Sequence, residues 1–128
     1  MTTEARVLDL EERGEMAQAN GIVLRIRTDK ADEFERLFAA EELPLWDEFT
    51  EQGKFLIARL ARVEYGSEEA EREDVAVYLL YVEVPGMAEH TEHDEDPRFK
   101  AYLEQVLALH AEPPLVFGGD ILFERRSV

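Results

Sequence analysis

A chain of 128 residues can bury one hydrophobic core but is too short for two independent ones. Its composition, 45% hydrophobic and 34% charged, excludes a disordered or fibrous protein, and a formal net charge of −16 argues against nucleic acid or an anionic membrane as partner. With no cysteine, disulfides, thiolate nucleophiles and thiolate metal sites are excluded together, and a cytoplasmic location is expected.

The opening stretch MTTEARVLDLEERGEMAQAN is charged throughout and lacks the apolar centre of a secretory signal. It reads as an N-terminal arm or short helix over residues 1–20, with Gly14 as a break, ahead of one domain over residues 21–128. From Gly21 to Arg27, Ile22, Leu24 and Ile26 alternate with Val23, Arg25 and Arg27, the period of a half-buried strand. Thr28 and Asp29 are capping residues for a helix that carries Phe34, Leu37 and Phe38 on one face. Pro44 interrupts that helix and opens a second segment holding Trp46 and Phe49, so a kinked or two-piece helix ending at Gly53 is expected.

Lys54 to Tyr65 reads as a second strand and Val75 to Val84, VAVYLLYVEV, as a third, joined as an antiparallel hairpin by the polar loop GSEEAERED. Asp96 caps a second major helix with Pro97 at its first turn, and Phe99, Tyr102, Leu103, Val106, Leu107 and His110 recur at helical spacing. Pro113 and Pro114 are read as its end, and Asp120 to Arg125 as a fourth strand after the Gly118–Gly119 turn. The order β-α-β-β-α-β predicts an α+β, ferredoxin-like fold: a four-stranded antiparallel sheet with two helices on one face.

Such a sheet has two faces and only one helical cover. In the third strand Val75, Val77, Leu79 and Tyr81 point one way and Ala76, Tyr78, Leu80, Val82 and Val84 the other, so both faces are apolar. The uncovered face predicts a homodimer that pairs through the sheet, because lone soluble proteins rarely expose so broad an apolar patch.

This layout, over Gly21 to Arg125, resembles the dimeric α/β-barrel superfamily, in particular the antibiotic-biosynthesis monooxygenase-like proteins and the stress-responsive barrel proteins. The segment DPRFKAYLEQV, Asp96 to Val106, is similar to the start of the second helix in the stress-responsive barrels, with Arg98 and Phe99 where those proteins often carry a histidine. The resemblance implies two sheets packed face to face as a barrel. For the monooxygenase-like members it also implies oxidation of aromatic substrates without metal or flavin, in a pocket of residue types that Trp46, Tyr78, Tyr81 and Arg59 supply.

Arg25 and Arg59 each interrupt an apolar strand, where a guanidinium can hold a carboxylate or phenolate ligand or form an ion pair across strands, with Glu124 as the expected counter-ion. His90 and His93, set among carboxylates in AEHTEHDEDP, carry donor types suited to a divalent metal, and the same stretch also reads as a polar lead into the next helix. His110 reads as a packed or capping residue near a helix end. The sequence has no phosphate loop, nucleophile elbow or basic aromatic surface. The expectation is a homodimeric barrel without a cofactor that binds a small apolar or aromatic molecule, the alternatives being a cofactor-independent monooxygenase of aromatic substrates or a purely structural oligomer.

Overall fold

The computed structural model of the protein describes residues 3–7 and 17–127. Strands β2 (Gln18–Arg27), β3 (Ile57–Arg62), β4 (Val75–Val84) and β5 (His110–Asp120) form one antiparallel sheet in the order β3-β4-β2-β5. A separate two-stranded ribbon pairs β1 (Thr3–Val7) with β6 (Phe123–Ser127). Helix α1 (Ala31–Leu37), a π-helical turn over Phe38–Glu42 and α2 (Leu43–Glu51) follow β2, and α3 (Met87–Glu95) and α4 (Pro97–Leu107) follow β4. The ferredoxin-like layout read from the sequence is therefore present. Gly14, expected as a break in the N-terminal arm, lies outside the described residues, whereas Gln18 to Asn20 already belong to β2.

The two-piece helix has a local cause. Pro44 has no amide hydrogen to give the Ala40 carbonyl four residues back, and the chain absorbs this with a wider turn in which the Leu43 N–H donates to the Phe38 carbonyl. The turn keeps Phe34, Phe38 and Trp46 on the sheet, and all three are buried with Leu24, Ile26, Tyr102 and Val106 in one core. Asp96 caps α4, its carboxylate accepting the Arg98 N–H at 2.8 Å. Thr28, expected to cap α1, instead donates its hydroxyl to the Glu73 carbonyl at 2.7 Å.

Several boundaries differ from the sequence reading. The second strand begins at Ile57, not Lys54, because the Lys54 and Phe55 amides both donate to the Phe49 carbonyl at the end of α2. The fourth strand of the sheet is His110–Asp120 and not Asp120 to Arg125. The last helix ends at Leu107, and Pro113 and Pro114 sit inside an edge strand, where a missing amide is tolerated beside the register shift opposite Val23 to Ile26.

The helices cover the face carrying Ile22, Leu24, Ile26, Tyr78, Val82 and Val84. On the opposite face, Val75 and Val77 are buried where the Glu68–Glu71 turn packs on β4. Leu79 and Leu115 remain 49% and 43% exposed there and Phe117 62%, with Tyr81 partly open beside them, so the centre of this face is apolar and uncovered in a single chain.

Candidate functional site

Every fourth residue from Phe34 through Phe38 and Glu42 to Trp46 falls on the sheet-facing side of the first helical run, so one carboxylate is carried into an apolar stripe. Glu42 is only 3% exposed. Its Oε2 accepts the Trp46 indole N–H at 3.2 Å and lies 2.9 Å from His93 Nε2, delivered by α3. His93 Nδ1 lies 3.2 Å from Asp94 Oδ1, and His90 Nε2 lies 2.8 Å from Asp94 Oδ2. Trp46, Glu42, His93, Asp94 and His90 thus form one continuous polar chain across the gap between α2 and α3.

Burial alone would push the His93 imidazole down, but hydrogen bonds to Asp94 and Glu42 outweigh it and raise the pKa to about 9. At neutral pH this ring is an imidazolium held between two carboxylates and surrounded by Phe49, Phe55 and Phe99, the last with its ring centre 4.3 Å away. Both of its nitrogens are engaged. Two other atoms in this wall are not: Glu42 Oε1 and His90 Nδ1 are buried without a hydrogen-bond partner.

These groups line one side of a cavity of about 430 Å³ between the sheet and the helices. Ile22, Leu24, Leu80 and Val82 form its floor, Phe38, Phe99, Tyr102, Leu103 and Val106 its roof, and exposed Leu107 and Val116 mark its mouth. Asn20, buried in β2, donates from Nδ2 to the Val82 carbonyl at 3.4 Å. Gly118 sits beside it, where a Cβ would stand 3.0 Å from Asn20 Oδ1. His110, at the start of β5, lies 2.9 Å through Nδ1 from the Val106 carbonyl, while its Nε2 is buried on the cavity wall without a partner.

Of the residues singled out from sequence for ligand binding, Trp46 lies on the cavity wall, and so do His90 and His93. Tyr78 is buried in the core, stacked on Phe34 at 4.7 Å, with its hydroxyl donating to Glu35 beside a shallow groove lined by Leu60 and Arg62. Arg59 and Tyr81 pair across β3 and β4 on the helix-free face. Arg25, on that face too, pairs with Glu112 at 2.7 Å and donates to the Pro113 carbonyl at 2.6 Å, in a cluster completed by Glu69 and Arg72. Glu124, expected as the internal counter-ion, pairs with Arg126 at 3.3 Å, because its strand belongs to the separate ribbon and not to the sheet. Among the described residues no group of three or more His, Asp or Glu is placed to hold a metal ion.

Sequence reasoning passed over Glu42, Asn20 and the cavity face of His110, and met Asp94 only as one of the carboxylates around His90 and His93. The available signal was Glu42 itself, an acid four residues from both Phe38 and Trp46 and so inside the stripe that must be buried.

No family model and no curated protein matches the sequence. Solved structures do match it in fold. A candidate antibiotic biosynthesis monooxygenase from Caulobacter crescentus is 21% identical with a TM-score of 0.66, over 88% of this chain and 95% of that one. Another, from Nitrosomonas europaea, is 14% identical with a TM-score of 0.65, over 84% and 92%. A hydroxynitrile lyase from Passiflora edulis is 9% identical with a TM-score of 0.62, over 83% and 94%. At these identities the likeness is one of architecture: this chain has the ferredoxin-like fold of the antibiotic biosynthesis monooxygenase-like proteins.

Proposed function

We propose that the protein is a homodimeric α/β barrel, in the cytoplasm, that binds a small apolar or aromatic molecule in the cavity between its sheet and helices. The cavity carries this reading: about 430 Å³, walled by aromatic and aliphatic side chains, with a few fixed polar groups on one side, the composition of a small-molecule site. Trp46 is the ligand contact among the residues expected from sequence, and Arg59 and Tyr81 face the second copy. The helix-free face supports the dimer, because burying Leu79, Leu115 and Phe117 against a second sheet contributes roughly 25 cal/mol per Å². Among the described residues no helix is long and apolar enough to cross a membrane.

Trp46 is the only tryptophan, so its indole N–H gives a single reporter resonance in a proton–nitrogen correlation spectrum. Titration with naphthalene should shift that resonance saturably, and Leu80→Phe, which fills the cavity floor, should weaken the effect about tenfold. An unmoved indole resonance up to aqueous saturation of naphthalene removes the reading.

A second reading, oxidation of an aromatic molecule in the same cavity, draws on the fold neighbours described as monooxygenase candidates. Oxygen consumption with anthrones or hydroquinones above the protein-free rate supports it, and its absence leaves binding alone.

A further inference from the structure

Three polar atoms of residues that line the cavity are buried without a hydrogen-bond partner, Glu42 Oε1, His90 Nδ1 and His110 Nε2, and the chemistry of the last selects among apolar ligands. His110 Nδ1 faces a backbone carbonyl, which can only accept, so the proton sits on Nδ1 and Nε2 presents a lone pair. Burial, aided by the Arg25 charge, holds this imidazole below its ordinary pKa, so the lone pair is present at neutral pH. Glu42 Oε1 is the unpartnered oxygen of a carboxyl group whose Oε2 accepts the Trp46 N–H and faces His93 Nε2. His90 Nε2 lies 2.8 Å from Asp94 Oδ2, and its Nδ1 is buried without a hydrogen-bond partner. A buried acceptor without a donor is unfavourable, and the donors beside Glu42, Trp46 Nε1 and both nitrogens of His93, are already used.

Resting on the cavity-binding reading, we propose that the pocket selects uncharged apolar molecules that bring a hydroxyl or N–H donor, and that His110 Nε2 is the atom that receives it. The same wall disfavours a carboxylate ligand. Two acidic side chains, Glu42 and Asp94, stand beside the single imidazolium of His93. This assigns His110 a binding role beyond holding the end of α4, and it separates the cavity from Arg25 and Arg59, which lie on the other face of the sheet.

Isothermal titration with naphthalene, 2-naphthol and 2-naphthoate at pH 7 tests it. 2-Naphthol should bind about tenfold tighter than naphthalene, and 2-naphthoate should be the weakest of the three. In His110→Phe the naphthol advantage should vanish while naphthalene binding persists, the latter showing that the cavity is intact; if His110→Phe loses naphthalene as well, His110→Leu serves in its place. Equal binding of naphthol and naphthalene, tighter binding of naphthoate, or a naphthol advantage that survives at both His110 variants overturns the assignment and leaves the binding cavity standing. Failure of all three compounds to bind removes the cavity reading itself, and the assignment with it.

Discussion

His93 shows how far a single buried ring can depart from its solution behaviour. Its folded pKa of about 9 lies above the ordinary 6.5, so its ion pairs contribute stability fully below pH 6.5 and lose that contribution as the pH rises through 9. The shift corresponds to roughly 3 kcal/mol as an upper figure. Urea denaturation at pH 6 and pH 9.5, the latter still short of the ordinary tyrosine pKa of about 10, should show the native protein losing up to that amount. His93→Gln should be less stable at pH 6 and nearly flat across the same interval. A native protein equally stable at both pH values would contradict the imidazolium. Little of this was legible beforehand. The spacing of His90 and His93 marked the two rings as metal donors, and only packing reveals that an acid fifty-one residues away closes on one of them.

The elements followed the sequence wherever periodicity and capping agreed. Val75 to Val84 has the bounds its alternation predicts, and Asp96 with Pro97 starts α4 as the N-terminal signals require. Truncating that cap, Asp96→Ala, removes the acceptor for the Arg98 N–H and should cost about 1 kcal/mol in denaturant, while Asp96→Ser should recover most of it. The reading failed where proline was taken only as a stop. In HAEPPLVFGGD the two prolines lie in an edge strand, and the apolar run after them, Leu115 to Phe117, was the strand signal that the proline pair obscured. The π-helical turn was partly legible, since Pro44 demanded some interruption, but its form depends on the core keeping Phe38 and Trp46 in ring contact at 4.9 Å.

At the scale of the whole molecule, the sheet divides the protein into two tasks. The helix-covered face encloses the cavity, and the bare face, with Leu79, Tyr81, Leu115 and Phe117, is the one that the proposed dimer would bury. That division was the most legible feature of the sequence, because strands with apolar residues in both parities cannot be satisfied by helices on one side. Leu79→Lys places a charge at the centre of the bare face and should weaken self-association at least tenfold without disturbing naphthalene binding on the other side. The most direct test of the two-faced account is sedimentation equilibrium of the native protein at micromolar concentration. A mass of twice 14.8 kDa, reverting to 14.8 kDa in Leu79→Lys, is the predicted result, and a native protein that sediments only at 14.8 kDa contradicts it.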